Sequence, residues 1–152
     1  MANPKSDSGN VECVLALYAA GAAGDWATAR TLVTSDFAIR EPECFPFGGI
    51  YEGIEALQAF YASIFEAAGP TEIAMNAITS GDDHVVVLVT LHMHTHGVSA
   101  NVAETFRLVD GKIAEINVYY QDPPRVAEIY SGVADAIAAN FPNVNRRPSN
   151  NP

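Results

Sequence analysis

Basic residues are scarce in this chain. Among 152 residues only 8 are Lys or Arg, against 18 Asp or Glu, for a formal net charge of −10. Nucleic acid and anionic membranes are both gripped through basic patches, so neither is expected as a partner. The closest basic pair, Arg146-Arg147, lies in a polar C-terminal stretch. Cysteine is nearly absent too. Cys13 and Cys44 have neither metal-site nor redox-motif spacing and read as reduced thiols of a cytoplasmic protein. No apolar run reaches the roughly 18 residues that a membrane span needs. The opening MANPKSDSGN has no basic segment leading into an apolar one, so no secretory leader is expected. Apolar residues make up 49% of the chain and charged ones 17%, which suits a globular body rather than a disordered one. At this length one domain is expected, with a core that needs no metal or disulfide staple.

Periodicity lays out the elements. Residues 1–9 are polar and are expected to be flexible. From Asn10, Val11, Val14, Leu15, Leu17 and Tyr18 recur at helical spacing, and Gly21 and Gly24 close that helix. Asp25 caps a second, short helix with Trp26, Ala29 and Val33 on its apolar face. Phe37, Ile39 and Glu41 then alternate on one side of a strand that stops at Pro42. The segment PECFPFGGIYEG reads as a loop because of its prolines and glycines. Its Phe45, Phe47, Ile50 and Tyr51 fit either a lid over a cavity mouth or a dimer contact. Leu57, Phe60, Tyr61, Ile64 and Phe65 mark the inward face of a helix ended by Gly69-Pro70. Three or four strands follow, in TEIAMNAIT, HVVVLVTLHMHTH, 100–109 and 112–121. A last helix runs from Pro124 to about Asn140, with Val126, Ile129, Tyr130, Val133 and Ile137 on one stripe. The tail at 141–152 is expected to be flexible. Helices followed by antiparallel strands predict an α+β fold over residues 10–140, a curved antiparallel sheet with helices on one side that can enclose a cavity.

The stretch NVAETFRLVDGKIAEINVYYQD carries the chemistry. Asp110-Gly111 between two alternating runs signals a tight hairpin. Val102, Glu104, Phe106 and Leu108 share one side of the first strand, and Ile116, Val118, Tyr120 and Asp122 one side of the second. A carboxylate among Val, Phe and Leu costs several kcal/mol to bury unless it is paired or its pKa moves. Glu104 is therefore either a cavity group kept protonated by desolvation or the acid half of a buried ion pair with Arg40 or Arg107. Glu41 is either a second cavity carboxylate, ionised beside a mobile loop, or an exposed strand end. Asp122, before two prolines, fits catalysis or a helix cap. His92, His94 and His96 alternate and so project from one face, roughly 7 Å apart. A His-x-His pair can supply two zinc ligands, but the spacing to Glu104 matches no metal motif and no metal is expected. The three read as a polar rim or, on the concave face with Leu88 and Thr90, as pocket groups able to hydrogen-bond or carry a proton. The strand 84–91 is apolar on both faces, and helices can cover only one, so a homodimer through the outer face is expected.

Element order and local motifs together resemble the SnoaL-like and ketosteroid-isomerase-like superfamily, with the cone-shaped fold of nuclear transport factor 2. The matching pieces are Ala23-Gly24-Asp25, Glu41-Pro42, Tyr51-Glu52-Gly53, Phe60-Tyr61, Phe106-Arg107 and Asp110-Gly111-Lys112-Ile113, which cover about residues 10–122. The resemblance implies an α+β cone with a hydrophobic pocket. Glu41 falls where the isomerases hold a carboxylate base, and Glu104 where they hold a protonated acid that donates to an oxyanion; those enzymes use Asp at both places. The place of their oxyanion tyrosine falls on Leu17, one residue before Tyr18. Tyr61 matches a supporting tyrosine, and Asp122 resembles the proton-transferring acid of SnoaL-like cyclases. With Leu88, His92, His94, Val102, Phe106, Ile116, Val118 and Tyr120, these residues make up the expected pocket. The expected function is cofactor-independent acid–base catalysis, by an isomerase or cyclase, on a small apolar carbonyl compound. A non-catalytic ligand-binding or dimerisation domain of the same fold is the alternative.

Overall fold

Residues 8–149 are described by the computed structural model. They form α1 (Ser8–Ala23), α2 (Trp26–Thr31), β1 (Val33–Glu41), β2 (Gly49–Glu52), α3 (Ile54–Ala68), β3 (Thr71–Gly81) and β4 (His84–Met93). A 3-10 turn (His94–His96) leads to β5 (Val98–Val109), β6 (Lys112–Tyr120), α4 (Pro123–Ile129), α5 (Val133–Asn140) and β7 (Asn145–Arg147). The architecture is α+β, as expected. One sheet has the strand order β3-β4-β5-β6-β1-β2-β7. The β3 to β6 meander is antiparallel throughout, whereas β1 joins β6 in parallel, a pairing not anticipated.

Local chemistry explains the boundaries. The Asp25 carboxylate accepts from the Thr28 backbone N–H at 3.0 Å and so starts α2. The β5–β6 turn needs positive φ at two successive residues, and Asp110 (φ 50) and Gly111 (φ 76) supply it. Strand alternation then sorts side chains by face. Val85, Val87 and Val89 of β4 face Phe106, Glu104 and Val102 of β5, which in turn face Ile116, Val118 and Tyr120 of β6. This inner row is closed over by α1, which packs on β3, β4 and β6, and by α3, which packs on β1 and β2. Phe37, Phe60, Val87 and Phe106 are buried, while Leu57 and Ile64 stay half-buried.

Several boundaries differ from expectation. Val33 opens β1 instead of lying on the apolar face of α2. The segment read as a loop contains β2, and Phe45, Phe47, Ile50 and Tyr51 are buried rather than presented to a partner. The last helix divides into α4 and α5 around Gly132. Where a flexible tail is expected, Asn145–Arg147 pairs with β2, Ile50 against Arg147 and Glu52 against Asn145. Of the other end expected to be flexible, Ser8 and Gly9 already belong to α1; residues 1–7, like 150–152, lie outside the described residues.

Phe37 is fully buried under α3, on β1. Phe37→Ala is expected to cost about 3–5 kcal/mol of unfolding free energy, the usual loss for a buried aromatic. Urea unfolding checks this, and a loss below about 1 kcal/mol would contradict the packing of the helical layer on β1.

Candidate functional site

The helices and the inner face of the sheet enclose a cavity of about 220 Å³. Its walls come from Leu17 and Tyr18 of α1, Phe60, Tyr61, Ile64 and Phe65 of α3, Ile39 and Glu41 of β1, Val102, Glu104 and Phe106 of β5, and Ile116, Val118 and Tyr120 of β6. Tyr130, just after α4, adds a fourth tyrosine. No Lys, Arg or His is among the lining residues. Phe65 is 63% exposed and sits at the rim, not in the core.

Both predicted glutamates are in this cavity. Glu104 lies between Val87 and Val118 in the sheet, and the Tyr18 hydroxyl donates to its Oε2. Tyr18 thus reaches the acid although it follows the expected position, Leu17, by one residue; both side chains line the cavity. Glu41 ends β1 and is only 7% exposed, and the Tyr120 hydroxyl donates to its Oε2 at 3.3 Å. Neither arginine considered as a partner reaches Glu104. Arg40 and Arg107 occupy the alternate positions of their strands and point to the outer face, where Arg40 pairs with Glu115 at 3.3 Å.

Glu41 is buried and Glu104 half-buried, and with no cation among the described lining residues the two carboxyls cannot both ionise freely. Desolvation pushes Glu41 up to about 8, helped by the negative charge of Glu104, while the Tyr120 hydrogen bond pulls it down. Desolvation raises Glu104 as well, but the Tyr18 hydrogen bond offsets part of that. The repulsion is mutual, so ionisation of either carboxyl disfavours ionisation of the other. Glu41, pushed up to about 8, holds its proton at neutral pH. This reverses the expectation that Glu41 stays ionised beside a mobile loop. The loop is packed, with Phe45 and Phe47 both buried, so water does not reach the carboxyl from that side. Burial and the Glu104 charge also raise Tyr61 to about 12, and Tyr18, Tyr120 and Tyr130 rise too. All four tyrosines remain protonated donors at neutral pH.

Other predicted residues lie elsewhere. Leu88 is 47% exposed on the outer face of β4. His92 is on that same face, with Nδ1 2.8 Å from the Ser99 hydroxyl, because Leu91 and Met93 take the inward positions. His94 and His96 are past the end of the strand, in the 3-10 turn, and His94 pairs with Glu72 at 3.2 Å on the surface. No histidine lines the pocket. Among the described residues, no three His, Cys, Asp or Glu side chains gather as a metal site. Asp122 is exposed and accepts from the Arg125 backbone N–H at 3.4 Å, so it caps α4 and does not enter the cavity. Tyr61, Val102, Phe106, Ile116, Val118 and Tyr120 are where they are expected. Tyr130 was missed as a site residue. The helical stripe marks it as buried but cannot separate a core tyrosine from one facing a cavity, and its hydroxyl has no hydrogen-bond partner.

A family profile for the SnoaL-like domain matches residues 14–116. No curated protein matches the chain. Among solved structures, TerC co-crystallised with polyporic acid is 22% identical, with a TM-score of 0.71 over 82% of this chain and 99% of its own. An NTF2-like protein of unknown function from Burkholderia pseudomallei is 17% identical, also with a TM-score of 0.71, over 82% and 99%. A chain from Jannaschia sp., described as a candidate SnoaL-like polyketide cyclase, is 25% identical, with a TM-score of 0.64 over 84% and 93%.

Glu41 should make stability depend on pH. A carboxyl whose folded pKa, about 8, stands above its ordinary value of 4.5 binds its proton more tightly in the folded state. The resulting stability is fully present below about pH 4.5 and is lost as pH rises to about 8, on the order of a few kcal/mol. Urea midpoints should fall over that window in the wild type and fall less in Glu41→Gln, where Glu104 is the one raised carboxyl left in the cavity. An equal fall in the variant would mean that another group is responsible.

Proposed function

Because the chain belongs to the SnoaL-like domain family, we propose that it is a small-molecule enzyme that moves a proton on a neutral, apolar carbonyl compound, with no cofactor. The observation that carries this is the pair Glu41 and Glu104, two carboxyls in one apolar cavity, each accepting from a tyrosine hydroxyl and each raised by desolvation. Glu41 is the more deeply buried of the two, which favours it as the acid and Glu104 as the base. Glu104, ionised, takes the proton from the carbon beside the carbonyl. Glu41, protonated, donates a hydrogen bond to the oxygen as negative charge builds there. The enolate then regains a proton at carbon, as in an isomerase, or attacks a second carbonyl, as in a cyclase; the first step is common to both.

The cavity narrows the substrate. At about 220 Å³ it exceeds the roughly 150 Å³ that holds benzene and falls below the 300–1,000 Å³ typical of drug-sized ligands. One or two rings fit. With a carboxylate inside and no basic side chain in the wall, an anionic ligand is repelled. The outer face of the sheet exposes Leu88 and Tyr119, 47% and 57% accessible, which supports a homodimer through that face. The two free cysteines suit a reducing cytoplasm.

Deuterium exchange into 2-tetralone, followed by NMR, tests the chemistry. The wild type is expected to exchange the protons beside the carbonyl, Glu104→Gln to lose about 10²–10⁴ of that rate as the base is removed, and Glu41→Gln to lose less because the amide still donates. The opposite order would restore Glu41 as the base. No exchange above buffer in the wild type would sink the enzyme reading and favour a binding domain.

The dimer is checked separately by light scattering at micromolar concentration, where a mass of twice 16.2 kDa is expected; a monomer refutes it.

A further inference from the structure

The C-terminal segment lies beyond the part of the chain that the SnoaL-like profile matches, yet it is built into the sheet beside the loop that follows Glu41. Arg146 makes the connection. Its Nε donates to the Gly48 carbonyl at 2.9 Å, and its Nη2 donates to the Gly48 and Pro46 carbonyls at 2.5 and 3.0 Å. The guanidinium also lies over the Tyr51 ring, 5.6 Å from its centroid. Ser149 adds a backbone N–H to the Glu43 carboxylate at 2.5 Å.

The contact is too close for ordinary side chains in between. A Cβ on Gly48 would lie 2.2 Å from the Pro42 carbonyl oxygen, and one on Gly49 (φ 128) would lie 2.8 Å from the Arg147 carbonyl oxygen. The loop is folded back tightly on itself, with β7 pressed against its exit.

The loop lines no part of the cavity but packs behind two tyrosines that do. Phe45 and Phe47 stack with centroids 4.9 Å apart, and Phe45 meets Tyr120 edge-on at 5.0 Å. Phe47 packs on Tyr130, and its carbonyl accepts from the Tyr51 hydroxyl at 2.6 Å. Tyr120 in turn holds Glu41. An unbroken path of contacts thus runs from Arg146 through the loop carbonyls and two phenylalanines to the tyrosine on the Glu41 carboxyl.

We propose that Arg146 is a positioning residue, which holds the loop at residues 42–48 shut behind Glu41 and keeps water from its carboxyl. This role goes beyond the proton-transfer reading, since it concerns the free protein and needs no substrate. The groups turned toward Glu41 are Glu104 from β5, Tyr120 from β6, Tyr51 from β2 and Tyr130 after α4, with Tyr18 of α1 and Tyr61 of α3 in the same cavity. None is a cation.

The test is a carbon-13 NMR titration of the Glu41 side-chain carboxyl in the full-length protein. Two effects of Arg146→Ala oppose each other. Loss of a positive charge would move the Glu41 midpoint up, whereas entry of water would move it down. A fall is expected, enough to shift the protonation ratio about tenfold toward the ionised form at pH 7. Arg146→Lys keeps the charge without the planar fork and should fall as well, by less; it decides the matter if the alanine variant does not fold. Arg147→Ala, which removes only a surface pair with Glu52 at 3.0 Å, should leave the midpoint in place. An unchanged or raised midpoint in the Arg146 variants, even with a lower melting temperature, would overturn the proposal, as would an equal fall in Arg147→Ala.

Discussion

Two carboxyl groups in one apolar cavity, with no cation in its wall, are the constraint around which this molecule is organised. Water would relieve the strain at once by solvating both charges. The structure instead restricts its access, with α1 and α3 above, the inner sheet face below, and the loop bearing Phe45 and Phe47 packed behind Tyr120 and Tyr130. Each of these layers is an ordinary piece of hydrophobic packing. Together they create a place where two otherwise similar carboxyls cannot both be ionised freely.

The alternation of strand side chains is what keeps the arginines out. Arg40 and Arg107 are neighbours in sequence of Glu41 and Phe106, close enough to neutralise an acid had they pointed the same way. Their odd step along the strand sends them to the outer face, where Arg40 finds Glu115. On the inner face the two acids accept from hydroxyls instead, those of Tyr18 and Tyr120. A register slip of one residue in β1 would exchange these roles completely.

That arithmetic is also why part of the site was legible in the sequence. Glu41 and Glu104 stand at the inward phase of strands whose phase is set by Phe37, Ile39, Phe106 and Leu108, so both could be placed by counting. Of the three histidines only His92 follows the same count, and it lies on the face opposite to the pocket reading. Val85 to Leu88 are apolar at every position, so β4 carries no pattern that tells inside from outside, and the strand also stops at Met93. Asp122 failed for a different reason, because an Asp before prolines at a helix start satisfies backbone N–H groups wherever it lies. Tertiary partners decided the remainder. Gly49–Glu52 is a strand because β1 and β7 flank it, and nothing local in Asn145–Arg147 indicates that it completes a sheet. The parallel β1–β6 contact likewise joins segments nearly eighty residues apart in the chain, beyond the reach of any short-range signal.

The choice of tyrosine as the partner for each acid bears on what the cavity can do. An arginine beside a buried carboxyl would hold it ionised, lowering its pKa by roughly 1–3 units and making it a weak base. A buried ion pair would also be costly to disturb, about 3–5 kcal/mol when one partner is lost. A neutral hydroxyl donor stabilises the ionised form less, so desolvation prevails and the pKa stays above the ordinary carboxylate range. A carboxyl in that condition can gain or lose a proton near neutral pH with little change in free energy, as a proton carrier requires. The same arrangement sacrifices stability, since two acids and their hydroxyl partners occupy positions where leucine would pack. A cavity serving only to close the core would have no reason to retain them.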